Sequence, residues 1–180
     1  RLRPALTRRA GLARDPRPAQ PADASAPAAR LISHPLDSLL RPGSLAVVGA
    51  SDDPTRIGGR PLAYLLARGY AGAILPVNPN RPTVQGLRAY PSVADLPQVP
   101  DAAVIAVPGE AAVEAVAALA ARGCKAGIVF TAGFAEIGEA GAALQRRLLD
   151  AARAGGMRLL GPNCLGLFNA PLGCFPIFSA

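Results

Sequence analysis

The chain has 180 residues and a net charge of +7, and 51% of its residues are hydrophobic but only 4% aromatic. This length suits one domain with a tail, and no apolar run is long enough to cross a membrane. The charge excess lies mainly in residues 1–30, an Arg-, Ala- and Pro-rich segment without the aromatic residues typical of nucleic-acid binding. We therefore predict neither a nucleic-acid nor a membrane partner, and we assign residues 1–33 to a disordered tail or linker.

The cysteines Cys124, Cys164 and Cys174 form no C-x-x-C pair. An odd number without paired spacing argues against a disulfide framework and against a structural zinc site. We expect no metal and a reduced, cytoplasmic setting. The sequence begins with Arg rather than Met and ends directly after an apolar stretch. We interpret it as part of a longer protein, in which residues 170–180 begin the connection to a following domain.

Short apolar runs alternate with amphipathic helices from residue 45 onward. The predicted strands are 45–48, 73–77, 102–107, 126–130 and 157–160, the predicted helices are 61–68, 110–122 and 139–154, and a short edge strand near 87–90 with a helical turn near 93–96 lies between. The runs are continuous rather than alternating, which is typical of parallel strands buried on both faces. The pattern predicts an α/β fold over residues 34–169, a doubly wound, mostly parallel Rossmann-like sheet with helices on both faces.

Five loops follow the predicted strands, and ligands of such sheets bind beyond the carboxyl ends of the strands, where these loops gather. In the first loop, Gly49 and Gly58 allow close approach of the backbone to a ligand, Ser51 offers a hydroxyl and Arg56 a charge. The helix that follows presents free N–H groups to an anion. The glycine spacing is not G-x-G-x-x-G, so the plain dinucleotide fingerprint is absent.

The second predicted strand is followed by Asn78, Pro79, Asn80 and Arg81. NAD-binding domains usually place Asp or Glu at this point to accept hydrogen bonds from the ribose hydroxyls. No carboxylate follows the strand here. Arg81 suits a phosphate on the ribose, as in NADP or in the 3′-phosphate of coenzyme A (CoA), unless it belongs to a solvated turn.

The remaining loops offer few groups with chemical function. Glu136 can either hydrogen-bond a pantetheine amide or cap the helix that follows, and Asn163 can either brace neighbouring loops or contact a ligand. Cys164 is interpreted as a small buried thiol rather than a nucleophile. His34 has no carboxylate or Cys at useful spacing, and Lys125 precedes a strand at the opposite end of the sheet. We predict a binding site without catalytic residues.

Five sequence motifs occur along these loops in a characteristic order and spacing. They are SLAVVGAS at 44–51, LPVNP at 75–79, YPS at 90–92 with DLP at 95–97, TAGF at 131–134 with Glu136, and GPNCLG at 161–166. Together they resemble the CoA-binding domain of NDP-forming acyl-CoA synthetases. That family includes ADP-forming acetate–CoA ligases and is related to the succinyl-CoA synthetase alpha subunit. The resemblance extends from about residue 36 to the end.

The resemblance implies a protein that makes acyl-CoA from an acid, CoA and ATP, with CoA bound by this domain. It implies CoA contacts from Ser51 and its neighbours, from Asn80 or Arg81, and from the later loops at Val107, Pro108, Thr131, Ala132 and Gly133. Many relatives carry Lys near Asn80, so either of these two positions can meet the phosphate. A phosphohistidine domain and an ATP-grasp domain or subunit, which would use ATP and Mg, are the expected partners outside this sequence.

Two other functions stay open on the sequence. Related domains are also fused to protein acetyltransferases, so a regulatory CoA-sensing domain of a larger protein is one alternative. An NADP-binding oxidoreductase domain would keep the sheet and Arg81. It does not fit the glycine spacing, and it lacks a proton donor.

Overall fold

Seven strands, four α-helices and three short 3-10 helices, one of them at the helical turn predicted near 93–96, lie in the part of the chain, residues 34–179, that the computed structural model describes. The strands are β1 (Ser44–Val48), β2 (Ala73–Val77), β3 (Thr83–Val84), β4 (Leu87–Arg88), β5 (Ala102–Ile105), β6 (Ala126–Val129) and β7 (Arg158–Leu160). The helices are α1 (Asp37–Leu40), α2 (Arg60–Ala67), α3 (Gly109–Ala121) and α4 (Glu139–Ala154). The predicted tail at 1–33 lies outside the described residues.

Five of these strands form one parallel sheet in the order β2-β1-β5-β6-β7. If the hairpin strands β3 and β4 are left out of the numbering, this order corresponds to the 2-1-3-4-5 order of flavodoxin-like doubly wound folds. The direction in which successive strands are added to the sheet reverses between β1 and β5. The predicted α/β fold with a mostly parallel sheet is thus confirmed, and every predicted strand of this sheet and every long helix is present. In such sheets ligands bind where the strand order reverses.

The two faces of the sheet are covered by different elements. Alternate strand residues such as Ala46 and Ile105 pack with α3 and α4 on one face. Their neighbours, such as Val47 and Val104, pack with α2 on the other face. Because each of these strands is buried on both sides, its sequence is a continuous apolar run.

Residues 165–178 also cover the α2 face. Cys174 is fully buried there, and the Phe178 ring lies 5.0 Å from the ring of Phe130. The Arg60 Nη1 atom donates a hydrogen bond of 2.6 Å to the Phe178 carbonyl oxygen. A domain boundary near residue 169 stays a prediction.

An antiparallel hairpin occupies the region where a single edge strand near 87–90 was predicted. In the pairing of β3 with β4, Val84 lies opposite Leu87. The two turn residues between them, Gln85 and Gly86, have φ values of 49° and 79°. A type I′ turn requires positive φ at both central residues and normally uses Asn-Gly. Gln in the first position explains why the sequence did not indicate this turn.

The outer edge of the sheet is formed by β2, which contains Pro76 in register with Val47. The Pro76 carbonyl oxygen points away from β1 and accepts a 2.9 Å hydrogen bond from the Tyr90 N–H. The Tyr90 carbonyl in turn accepts a 2.9 Å bond from the Asn78 N–H. Since proline is tolerated only where the sheet needs no donor, Pro76 fits this outer side.

No helix within residues 34–179 combines the length and the apolar character needed to span a bilayer.

Candidate functional site

An open cleft of about 590 Å³ lies at the carboxyl ends of β1 and β2, beside the point where the strand order reverses. Six of the residues predicted from the sequence line it: Gly49, Ser51, Arg56, Gly58, Asn80 and Arg81. The other seven belong to the loops after β5, β6 and β7 and are not part of the lining: Val107, Pro108, Thr131, Ala132, Gly133, Glu136 and Asn163. The structure therefore divides the predicted rim into a cleft half and a far half.

The first loop, residues 49–59, leaves β1 and enters α2 through a tightly folded path. A Cβ atom on Gly49, whose φ is 85°, would come within 2.8 Å of the Ala106 carbonyl oxygen. A Cβ on Gly58 would overlap the carbonyl oxygen of Gly49, and one on Gly59 would overlap that of Asp53. Glycine is required at these positions because backbone packs directly against backbone.

Hydrogen bonds inside the first loop fix its polar side chains. The Asp53 Oδ1 atom accepts from the Thr55 hydroxyl at 2.6 Å and from the Thr55 N–H at 2.8 Å. The Thr55 hydroxyl, followed by its N–H, holds the pKa of Asp53 below its ordinary value. The Ser51 Oγ atom accepts a 3.2 Å bond from the Asp53 N–H. A hydroxyl that accepts one bond still has its proton to donate, so Ser51 can serve an anionic ligand.

Two carboxylates in the cleft, Asp52 and Asp53, were not among the residues predicted from the sequence. The Asp52 Oδ2 atom lies 2.6 Å from the Arg81 Nη1 atom, and Arg56 Nε lies 3.7 Å from an Asp53 oxygen. No carboxylate follows β2 in the chain, but Asp52 reaches this position from the first loop. The cleft thus contains ion pairs rather than unpaired cations. The signal was the Ser-Asp-Asp sequence directly after Gly49 and Ala50.

Asn78 connects the first loop to the second loop, residues 78–81. Its Nδ2 atom donates to the Ala50 carbonyl oxygen at 2.8 Å, and its Oδ1 atom accepts from the Asn80 N–H at 2.8 Å. The side chain is therefore used in fixing the two loops relative to each other. It holds Asn80 at the wall of the cleft.

In the far half of the rim, polar groups bind one another. The Thr131 hydroxyl donates to the Val107 carbonyl oxygen at 2.7 Å, and the Asn163 N–H donates to the Thr131 carbonyl oxygen at 3.0 Å. These bonds join the loops after β5, β6 and β7. Asn163 thus helps to join the loops through its backbone N–H, and the role of its side chain stays a prediction.

The Glu136 carboxylate accepts a 2.6 Å hydrogen bond from the Gly133 N–H. Backbone N–H groups of Glu136 itself, and then of Gly133, hold the pKa of this carboxyl below its ordinary value. The helix α4 begins without a side-chain cap. Glu136 therefore stabilises its own loop and does not cap the helix that follows, which was one of its two predicted roles. Pro108 and Ala132 are exposed at the same end of the sheet, in the loops after β5 and β6.

The thiols in the described part of the chain are protonated at neutral pH. Burial raises the pKa of Cys124 and of Cys174 to about 11 each. Burial also raises the pKa of Cys164, whose Sγ atom lies 3.3 Å from the Val129 carbonyl oxygen. A protonated thiol is a poor nucleophile, so Cys164 acts as a packed side chain near the rim.

The side chain of His34 bonds to its own segment: its Nδ1 atom accepts a 3.2 Å hydrogen bond from the Leu36 N–H.

A parallel sheet of this order, with a glycine-built polar cleft where the strand order reverses, defines a nucleotide-binding α/β domain. Comparison with known proteins identifies its family. A family model described as "CoA binding domain" matches residues 43–170. The chain belongs to this family of CoA-binding domains, and the resemblance inferred from the five motifs is confirmed.

The chain is similar to curated acyl-CoA-forming enzymes over most of its length. It is 44% identical over 140 residues to trans-feruloyl-CoA synthase FCS1 from an unknown prokaryotic organism, a match that covers 78% of this chain and 20% of the relative. It is 39% identical over 144 residues to the ADP-forming acetate–CoA ligase II of Archaeoglobus fulgidus, covering 80% of this chain and 21% of the relative. The chain therefore spans about a fifth of the length of these relatives.

Among solved structures, the chain matches the dinucleotide-forming acetyl-coenzyme A synthetase 1 of Ca. Korarchaeum cryptofilum in complex with phosphate and ADP. The TM-score is 0.76 at 39% sequence identity, and the match covers 81% of this chain and 31% of that one. The fold is thus that of one part of a larger enzyme.

Proposed function

We propose that the cleft between the first and second loops holds the phosphates of CoA, and that the chain supplies the CoA-binding part of an ADP-forming acid–CoA ligase. The observation that carries this proposal is the match of residues 43–170 to the family of CoA-binding domains. The cleft's position, between a glycine-built loop and Arg81, agrees with it.

Three kinds of group in the cleft suit a phosphate. The backbone of Gly49 and Gly58 lines the cleft in a tight fold that only glycine permits. Ser51 adds a hydroxyl, and Arg56 and Arg81 add guanidinium groups, which pair with Asp53 and Asp52 in the ligand-free cleft. Arginine presents a planar set of N–H donors to phosphate oxygens, and such charge-assisted bonds are stronger than neutral ones. Arg81 fits the 3′-phosphate better than Asn80, which carries no charge.

The far half of the rim supports the remainder of the ligand in this proposal. Val107, Pro108 and the backbone of residues 131–133 follow neighbouring strands β5 and β6, so they continue the edge that begins at the cleft. A pantetheine chain carries two amides and can bond to such backbone groups. In this arrangement Glu136 and the backbone of Asn163 hold the loops, and the side chain of Asn163 stays a candidate contact with the ligand.

The chemistry of the ligase would be completed by other domains. Cys164, the thiol near the rim, is protonated, and His34 precedes α1, outside the cleft lining. We therefore assign no catalytic residue to this domain. A phosphohistidine domain and an ATP-grasp domain or subunit would supply the phosphoryl transfer, with ATP and Mg bound there. The three free cysteines fit a reducing, cytoplasmic setting.

Calorimetric titration of the full chain with CoA, dephospho-CoA, NAD and NADP tests the proposal. We expect CoA to bind more tightly than the other three ligands. Arg81→Ala should raise the Kd for CoA about tenfold, because one charge-assisted contact is lost. The same variant should weaken the binding of dephospho-CoA much less, because that ligand has no 3′-phosphate and meets only the Asp52 carboxylate left without its partner. Arg153→Ala is the matched control, because it removes an exposed arginine that also pairs with an aspartate, but on α4. Tighter binding of NADP than of CoA would refute the proposal.

A further inference from the structure

Gln85, in the turn of the β3–β4 hairpin, binds both ends of the first loop. Its Nε2 atom donates to the Ser51 carbonyl oxygen at 2.9 Å and to the Gly59 carbonyl oxygen at 2.8 Å. Ser51 lies just after β1 and Gly59 just before α2. A single amide nitrogen therefore links the point where the loop leaves the sheet to the point where it enters the helix.

The backbone of the same residue reaches the charged part of the cleft. The Gln85 N–H donates a 2.7 Å hydrogen bond to the Asp52 Oδ1 atom, and the other oxygen of Asp52 pairs with Arg81. Gln85 does not itself line the cleft. Its effect on a ligand would have to pass through the first loop and through the Asp52–Arg81 pair.

The two contacts select a primary amide at this position. Two carbonyl oxygens need a nitrogen with two N–H groups, which Gln supplies without adding a charge. Glu would place acceptors against acceptors. Asn has the same amide, but it is one methylene shorter and cannot reach both oxygens from the same backbone position. Since the side chain is half-buried, water replaces these bonds only in part.

We propose that Gln85 is a positioning residue of the CoA cleft, which holds the first loop and, through Asp52, Arg81 in the geometry that receives the phosphates. The inference rests on the proposed function for the identity of the ligand. The geometry that it assigns to Gln85 is a property of the ligand-free chain. The two can therefore be tested separately.

Gln85→Asn separates positioning from stability. Asn favours positive φ more than Gln does, so the type I′ turn is preserved or improved. The better turn conformation of Asn offsets part of the stability lost with the two hydrogen bonds, so we expect the full chain with Gln85→Asn to stay folded without urea and to unfold at a urea concentration somewhat below that of the wild type. Its Kd for CoA should rise about tenfold, since two hydrogen bonds to the loop are lost. Adenosine 3′,5′-bisphosphate, which carries only the phosphorylated nucleoside end, should show the same loss.

Two further variants complete the experiment. Gln98→Asn makes the same chemical change at an exposed position, and we expect its Kd for CoA to equal that of the wild type. Gln85→Glu should raise the Kd for CoA more than Gln85→Asn does. Equal Kd values for the wild type and Gln85→Asn overturn the inference, and so does a rise in Kd that the measured fraction of unfolded Gln85→Asn in the absence of urea accounts for in full.

Backbone amide NMR signals of residues 51–59 decide the inference independently of CoA. In Gln85→Asn we expect these signals to shift while those of α3 and α4 stay in place. If the wild type does not bind CoA, the proposed function fails, and unchanged loop signals would then overturn the positioning role as well.

Discussion

The two halves of the rim use the same kinds of residue for different purposes. In the cleft half, the first and second loops surround an open space with charged side chains and closely packed glycine backbone. In the far half, Thr131 and Glu136 bond to backbone groups of their own or neighbouring loops. Polar residues after a strand therefore do not by themselves indicate a ligand contact. The hydrogen-bond partners of such a side chain help to show whether it is available to a ligand or holds neighbouring loops together.

This difference predicts different costs of substitution. Exposed ion pairs such as Asp52–Arg81 contribute about 0–1 kcal/mol to stability, so the cleft half can lose a charge and remain folded. A loop-to-loop hydrogen bond in the far half contributes about 0.5–1.5 kcal/mol. Substitutions of the arginines in the cleft half should therefore change affinity, and substitutions of the bracing side chains in the far half should change stability.

The largest effect is expected for Gly58→Ala, because its Cβ would overlap the Gly49 carbonyl oxygen and force the first loop apart. We expect about 3 kcal/mol of destabilisation, typical of severe backbone overlap, and a loss of CoA binding of more than about 100-fold. Gly69→Ala is the control, since its Cβ would meet open space and only the positive φ of 67° is strained. Urea unfolding and CoA titration measure both effects. Wild-type affinity in Gly58→Ala would show that close packing of the loop is not needed.

A smaller effect on stability is expected for Thr131→Val, which removes the hydroxyl that donates to the Val107 carbonyl. The free energy of unfolding should fall by about 1 kcal/mol, while the Kd for CoA should change by less than about threefold. Thr83→Val, at the exposed position of strand β3, provides the matched control and should change neither quantity. If Thr131→Val strongly raised the Kd for CoA without changing the free energy of unfolding, the division of the rim into two halves would be wrong.

The smallest effect is expected for Glu136→Gln and appears as a pH dependence. The pKa of Glu136 is lowered in the folded state by N–H groups of its own loop. A lowered pKa means that the ionised group stabilises the fold above its unfolded pKa, and that this contribution is lost as the pH falls through the folded value. The wild type should therefore be more stable than Glu136→Gln at neutral pH, and the difference should vanish in acid. Urea midpoints measured at several pH values check this, and a constant difference would contradict it.

Helices and sheet strands were largely predictable because their signals are local. The helix α4 begins and ends at the predicted residues, and the continuous apolar runs correctly indicated a parallel sheet. The hairpin was not predicted because Gln85 takes a backbone conformation that Asn usually adopts. Residues 165–178 gave no periodic pattern, since they pack through isolated residues such as Cys174.

The candidate site was only partly predictable, for a different reason. Gly49, Ser51 and Arg81 follow strands directly, so the strand pattern alone placed them at the rim. Asp52 meets Arg81 across 29 positions of sequence and Gln85 across 33. Such contacts depend on where the hairpin folds, which no local pattern specifies. The ion pair in the cleft and its support by Gln85 thus became visible only in three dimensions.

The proline in the outermost strand has a consequence for contacts with other molecules. An uncovered strand edge is a template onto which a foreign strand can add, and natural proteins protect such edges. Here Pro76 offers no hydrogen-bond donor, and its carbonyl is already occupied by Tyr90. This margin of the domain cannot be extended by β-augmentation at that point, so neighbouring polypeptides would have to associate with it through side-chain surfaces instead.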